Sequence, residues 1–177
     1  MLSTGVRQNP TQNRRGNMPL KDHALALARK GFRVFPLIPN GKTPAITNWQ
    51  NLATTDQAQI ETWWGNKPHG RNSDPLASKG PNCNVGIATG RGLVVIDYDT
   101  KPGKRGAESL AVHENIWGLP DTMRVRTATG GLHVYLRIDR PVRNSVSKIA
   151  DDVDIRGDGG LVVGPGSVID GVAYEIL

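Results

Sequence analysis

Helical spacing of apolar residues marks two stretches of the chain. The first predicts a helix that stops at Gly31, because glycine often ends helices; its apolar positions are Leu20, Ala24, Leu27 and Ala28. In the second, Thr54 and Gln57 have the spacing of a capping box. That spacing predicts a helix start, with Ile60, Trp63 and Trp64 directed toward a core. A third helix is predicted over residues 107–116.

Short apolar runs between glycine-rich turns predict strands. They cover residues 32–38, 84–89, 93–99, 123–128, 132–138, 153–156, 161–165 and 173–176. The short links at 90–92 and 129–131 predict two hairpins, hence antiparallel pairing. Within residues 132–138 the alternation places His133, Tyr135 and Arg137 on one face of the strand. The predicted fold class is α+β, a mostly antiparallel sheet with flanking helices.

The charge of the chain favours an acidic partner. The 177 residues carry a net charge of +6, and nucleic acid is the commonest partner of a basic domain. Residues 1–18 are polar, basic and without periodicity, so we expect a disordered leader before a single domain over 19–177. Cys83 is the one cysteine, which excludes an internal disulfide and a cysteine-rich zinc site. We expect a cytoplasmic protein with no membrane partner, because no apolar run reaches spanning length.

Asp97 and Asp99 close the apolar run 93–96 and share a side of the strand. Two such carboxylates repel unless a cation lies between them, and Mg²⁺ or Mn²⁺ prefers oxygen ligands. Asp154, in a predicted strand with Arg156, would complete a site for two ions. The alternatives are a strand-end turn for the first pair and a salt bridge to an arginine for Asp154.

His133 follows the turn Thr129-Gly130-Gly131, whose backbone a phosphate can approach closely. The histidine would then donate a hydrogen bond to that phosphate, although a lone histidine is more often structural. Lys42 follows a glycine but lacks the full phosphate-loop pattern. It is a candidate point-charge phosphate binder or a solvated turn lysine.

The order of these motifs resembles the prim-pol (bifunctional DNA primase/polymerase) branch of the archaeo-eukaryotic primase superfamily, found in phage and plasmid replication proteins. The likeness runs from about Ala24 to Tyr174. It includes GFRVFPLIPNGKTPAITNW, NVGIATGRGLVVIDYD, RTATGGLHVYL, VDIRGDGGLVVGPGS and the closing GVAY. The ligands of the zinc-binding stem of some relatives are absent from the sequence, and we expect the C-terminal continuation of many relatives to be missing here.

The resemblance implies a primase-polymerase domain with an RRM-like core and template-directed nucleotidyl transfer. It implies Asp97, Asp99 and Asp154 as catalytic ligands of two Mg²⁺ or Mn²⁺ ions, and His133 as the nucleotide-phosphate histidine. Lys42, Arg156 and Ser167 match positions that contact nucleotide or support the site. The implied partners are a single-stranded DNA template, a primer, dNTP or NTP, and a helicase domain or protein.

Two other functional classes use the same features. A metal-dependent nuclease or phosphodiesterase would need the carboxylates without a triphosphate pocket. A non-catalytic replication-origin binder would need only the basic surface. A rolling-circle initiator is disfavoured because the sequence has no His-x-His pair.

Overall fold

The computed structural model describes residues 18–66 and 73–177. Its helices are α1 (Leu20–Arg29), α2 (Trp49–Leu52), α3 (Gln57–Trp63) and α4 (Gly106–Trp117). Its strands are β1 (Val34–Leu37), β2 (Asn84–Ala88), β3 (Leu93–Tyr98), β4 (Arg124–Arg126), β5 (Leu132–Arg137), β6 (Ser145–Ala150), β7 (Val153–Arg156), β8 (Leu161–Val163), β9 (Val168–Ile169), β10 (Val172–Ala173) and β11 (Glu175–Ile176). Residues 1–17 of the predicted leader lie outside the described residues. No described helix has the length and apolar character needed to cross a membrane.

The described strands form three sheets in which every strand pairing is antiparallel. The largest has six strands in the order β11-β4-β5-β3-β7-β6, and a second has the order β1-β2-β8. Strands β9 and β10 form a separate pair. The predicted α+β class with mostly antiparallel pairing is confirmed, although the strands divide among several sheets.

The two faces of the six-stranded sheet bury separate apolar clusters. Val95, Val125 and Tyr135 face the larger cluster, which also takes in α1, α3 and the three-stranded sheet. Ile96, Tyr98 and Val134 face a smaller cluster, against which Leu110 of α4 packs. Full burial of each large aliphatic or aromatic side chain contributes about 1.5–3 kcal/mol. Both faces of β3 are therefore fixed by apolar contacts up to Ile96, and the polar site begins immediately beyond.

The hairpin predicted over residues 84–99 is wrong. Strand β2 pairs with β1 and β8, whereas β3 pairs with β5 and β7, so neither has a free edge for the other. Gly90, Arg91 and Gly92 have φ of 86°, 51° and 88°, and they carry the chain from one sheet to the next. A single bridge, Gly90 to Leu93, is what remains of the predicted pairing in the described residues. The second predicted hairpin, β4 with β5, is confirmed.

The start of α3 also differs in detail from the prediction. The cap is Asp56, whose Oδ1 accepts from the Gln59 backbone N–H at 2.7 Å. The Thr54 hydroxyl accepts from the Asp56 N–H at 3.0 Å. Thr54 is therefore not the cap residue but orients it. The predicted strand 173–176 is interrupted at Tyr174, which separates β10 from β11.

Candidate active site

Three polar residues form a row across the middle of the six-stranded sheet. In the β3–β5 pairing Asp97 faces His133, and in the β3–β7 pairing it faces Asp154. Directly opposed residues of antiparallel strands project on the same side of the sheet. The strand register therefore places Asp97 between the histidine and the second carboxylate. The row lines one cavity of about 270 Å³.

Arg156 joins the two opposed carboxylates. One guanidinium nitrogen, Nη2, lies 2.8 Å from Asp154 Oδ2 and 3.5 Å from Asp97 Oδ2. The other oxygen of Asp154 accepts from the Ser147 backbone N–H at 3.1 Å. The side chains of Asp97 and Asp154 keep 27% and 22% of their surface exposed, so both are reachable from the cavity. The expected common face and the alternative salt bridge are thus both present.

Asp99 lies one residue beyond β3 and is held by its backbone. Its N–H donates to the Asp152 carbonyl at 3.0 Å, and its own carbonyl accepts from Gly106 N–H at 3.2 Å. Gly106 begins α4 so close to this carbonyl that a Cβ would collide with it. The Asp99 carboxylate pairs with Lys101 Nζ at 3.0 Å. Asp99 therefore lines the same cavity as Asp97, but it pairs with Lys101, whereas Asp97 pairs with Arg156.

The carboxylates share a cavity without forming a closed ligand set. Within residues 18–66 and 73–177, no three Asp, Glu, His or Cys side chains are grouped closely enough to hold a metal ion. Two basic side chains, Arg156 and Lys101, provide the positive charge that these carboxylates require in this conformation.

His133 is almost fully buried, and burial is the main cause that lowers its pKa. Asp97 opposes this shift, with its Oδ1 at 3.6 Å from Nε2, while Arg156 and Lys42 reinforce it. The imidazole is therefore neutral near pH 7. Its Nδ1 is buried without a hydrogen-bond partner among the described residues. Burying a ring nitrogen without a hydrogen-bond partner lowers the stability of the fold, which indicates that this histidine has a role besides packing.

The turn before His133 is closed by its own backbone. Thr127 N–H donates to Gly131 O at 2.8 Å, and Gly130 N–H donates to Thr127 O at 3.0 Å. Gly130 has φ of 88°, a conformation that favours glycine. Thr129 and Gly131 line the cavity. Gly130 is not part of this lining, and its amide is taken up by the turn.

Lys42 and Ser167 have different positions relative to the cavity. Lys42 is exposed, lines the cavity and acts electrostatically on His133. Ser167 is fully buried, and its hydroxyl accepts from the Val85 N–H at 2.9 Å, away from the cavity lining. The Ser167 carbonyl accepts from the Tyr174 N–H at 2.8 Å, so this residue supports the site through the backbone.

Tyr174 is a cavity residue that the sequence motifs left without a role. It is buried at the rim of the cavity, with its ring 5.9 Å from that of His133. Burial, aided by the negative charge of Asp97, raises its pKa to about 12, so the phenol stays protonated. The closing GVAY segment of the resemblance was the available signal. Lys104 also reaches the cavity, where its ion pair with Asp152 at 2.8 Å raises the lysine pKa.

The cavity continues into a second one of about 330 Å³. The two share Lys42, Asp97, His133, Arg156 and Tyr174. The second is also lined by Trp49 and by residues 159–163. An elongated occupant therefore has room to extend from the carboxylate row toward Trp49.

Comparison with known proteins matches the chain to a family. The model of the family described as "Bifunctional DNA primase/polymerase, N-terminal" matches residues 24–177. No curated protein matches the chain. The matched range contains all the residues of the site described above.

Proposed function

Because this chain belongs to the bifunctional DNA primase/polymerase family, we propose that it carries out template-directed nucleotidyl transfer at the Asp97 cavity. The attacking group is the 3′-hydroxyl of a primer or of a first nucleotide. It displaces pyrophosphate from a nucleoside triphosphate, so one P–O bond forms as another breaks. The expected biological setting is replication of phage or plasmid DNA.

One observation carries this proposal: the register that aligns Asp154, Asp97 and His133 along a single cavity. Carboxylates at one end of the row and a neutral histidine near Lys42 at the other suit two reactants of different chemistry. A hydroxyl nucleophile needs the first kind of group, and a triphosphate needs the second.

The donor chemistry of the cavity fits divalent ions. Asp97, Asp99 and Asp154 present carboxylate oxygens, the ligands that Mg²⁺ and Mn²⁺ prefer. All three line the cavity and lie within ion-pair distance of a basic side chain, so each carries a charge that a bound cation can take over from Lys101 or Arg156. When bound, two such ions lower the pKa of the attacking hydroxyl and neutralise the charge on the triphosphate and the leaving pyrophosphate.

The remaining side chains act on the triphosphate. Neutral His133 donates one N–H to a phosphate oxygen, and Lys42 provides a point charge beside it. Arg156 has a planar guanidinium whose geometry matches a phosphate group. It can bind that phosphate when another cation neutralises Asp97 and Asp154. Tyr174, whose phenol stays protonated, lines both cavities where these groups meet.

The test is nucleotide incorporation on single-stranded DNA, with and without a primer, in Mg²⁺ or Mn²⁺. We expect incorporation with pyrophosphate release, abolished in Asp97→Asn, which keeps the side-chain shape but removes the charge. Asp151→Asn, at an exposed surface aspartate that pairs with Arg105, is the matched control and should stay active. Cleavage of the DNA without pyrophosphate release would assign the site to a nuclease. DNA binding without either reaction would make the protein a binder.

A further inference from the structure

A third cavity adjoins the two already described and extends away from the carboxylates. It has a volume of about 220 Å³ and shares Trp49, Gly159 and Gly160 with the second cavity. Arg33 and Arg91 also line it. The three cavities therefore form a continuous groove that leads from the carboxylate row past an indole to two guanidinium groups.

The two arginines give this end of the groove an excess of positive charge. Among the residues that the structure describes, neither guanidinium has an ion-pair partner. The one carboxylate in the lining, Asp158, accepts from the backbone N–H of Arg91 at 3.1 Å. Burial and the nearby charge of Arg91 both lower the pKa of Arg33. Two like charges held together in a cavity favour a bound anion.

Local structure fixes the backbone of both arginines and the side chain of Arg33. Arg33 Nη1 donates to the Gln50 carbonyl of α2 at 3.2 Å, and the Arg33 carbonyl accepts from Ala88 N–H at 2.9 Å. Arg91 occupies a left-handed position, with φ of 51°, between two glycines. This conformation is uncommon for an arginine, and here it occurs at the point where the chain passes between sheets.

Trp49 separates the second cavity from the third. One side of its indole is stacked on buried Phe35, with ring centroids 4.8 Å apart and an interplanar angle of 21°. Trp49 is half-buried and lines both cavities. An indole held in this way can stack an unpaired base, whereas the bases of a duplex are already stacked on each other. Gly159, which lines the same two cavities, has open space where a side chain would stand.

We propose that this groove, defined by Arg33, Trp49, Arg91, Gly159 and Gly160, binds the single-stranded template as it leaves the active site. Trp49 stacks one base, and the two arginines bind the phosphates that follow. The inference rests on the proposed function for its direction, because the strand must reach the carboxylate row. It adds the surface that holds the template, which is separate from the residues that hold the triphosphate.

The test measures binding of a fluorescein-labelled single-stranded oligothymidylate by anisotropy over a range of salt concentrations, with the full chain. In Trp49→Leu we expect affinity to fall by about tenfold, as for the loss of one base–aromatic stack. Trp49→Phe, which keeps a ring on Phe35, should recover most of it. In Arg91→Asn, which suits the left-handed backbone, the salt slope should fall by about 0.7, the value for one phosphate contact on a single strand.

Arg29→Gln is the charge control, because Arg29 is exposed at the end of α1 and lines none of the three cavities. Arg33→Gln should lower the salt slope by a similar amount, about 0.7. Thermal unfolding of each variant separates a binding loss from misfolding, and if Arg33→Gln is unfolded, Arg91→Asn decides the arginine contact. Folded Trp49→Leu and Arg91→Asn proteins that bind the oligonucleotide like the wild type would overturn the inference. So would a loss of triphosphate binding with unchanged oligonucleotide binding.

The same experiments distinguish this inference from the proposed function. If the wild type incorporates no nucleotide, the proposed function fails. In that case the groove variants should still lose oligonucleotide affinity, because the groove binds DNA whether or not the reaction occurs. If Asp97→Asn abolishes incorporation and the groove variants bind DNA normally, the function stands and the groove is refuted.

Discussion

Replacing Arg156 by glutamine tests whether the cavity carboxylates are arranged for a cation. In the wild type the guanidinium lies 2.8 Å from one carboxylate and 3.5 Å from the other. The substitution leaves Asp97 and Asp154 facing each other across β3 and β7 without a positive charge between them. The fold should become less stable at neutral pH, and a divalent ion should restore part of the loss.

The size of the effect follows from the geometry. Facing residues of antiparallel strands have Cα atoms ~4.5–5.5 Å apart, and two charges at ~5 Å with an effective dielectric of ~20 repel by about 3 kcal/mol. Both carboxylates are about one quarter exposed. Because water screens them, we expect a loss of about 1–2 kcal/mol in the free energy of unfolding. For a domain of this size that corresponds to a fall of roughly 2–8 °C in Tm.

The assay is thermal unfolding of the wild type and Arg156→Gln with and without Mg²⁺ or Mn²⁺. The Tm of the variant should rise more on addition of the ion than that of the wild type, since the ion replaces the missing guanidinium. Arg126→Gln is the control, because it breaks an ion pair with Glu175 in which both side chains are 55% exposed. Such a pair contributes ~0–1 kcal/mol and no metal dependence is expected. Equal ion-induced shifts in the wild type and Arg156→Gln would refute the reasoning.

Two further predictions address the histidines. His133→Ala should weaken nucleotide binding, measured by titration with a triphosphate, more than it weakens DNA binding; equal losses would leave the histidine a structural role. His113, whose Nδ1 lies 2.9 Å from the Tyr98 hydroxyl, has its pKa lowered by burial, so the native state binds fewer protons than the unfolded state at acidic pH. The wild type should therefore lose stability as the pH falls through ~6.5, and His113→Asn, which keeps an acceptor for the tyrosine, should lose less in urea unfolding at pH ~7.5 and ~5.5. The same pH dependence in both proteins would contradict this.

The faces of the site strands could be predicted, because alternation along a strand is a local property. Each segment alone shows on which face of its strand a residue lies. This holds for Asp97 in β3, for His133 in β5, and for Asp154 and Arg156 in β7. Their mutual alignment is not contained in any one segment. It depends on pairings between residues 36 and 57 positions apart in the chain, and no feature within VDIR specifies that its aspartate faces Asp97. The shared motif order of a family provided that step.

The failures have a similar origin. The link at residues 90–92 has the length and glycines of a hairpin, but both edges of β2 and of β3 are taken by strands distant in sequence. Strand β6 escaped prediction because it is an edge strand with mostly exposed residues, so it lacks an apolar alternation. Tyr174 lies in an interruption between two two-residue strands, too short for any periodicity to mark it.

The register that creates the site is maintained by the opposite face of the same sheet. Tyr98 faces Val153 in the β3–β7 pairing and Leu132 in the β3–β5 pairing, and Tyr98 and Val153 have no exposed surface. A slip of one residue would expose these side chains and turn the carboxylates into the apolar cluster beneath. The Tyr98 hydroxyl bonded to His113 of α4 adds a polar contact that a slipped strand would lose. The residue between the two aspartates of the Asp-Tyr-Asp motif is thus what keeps Asp97 between His133 and Asp154, which makes the apolar face as necessary to the site as the carboxylates themselves.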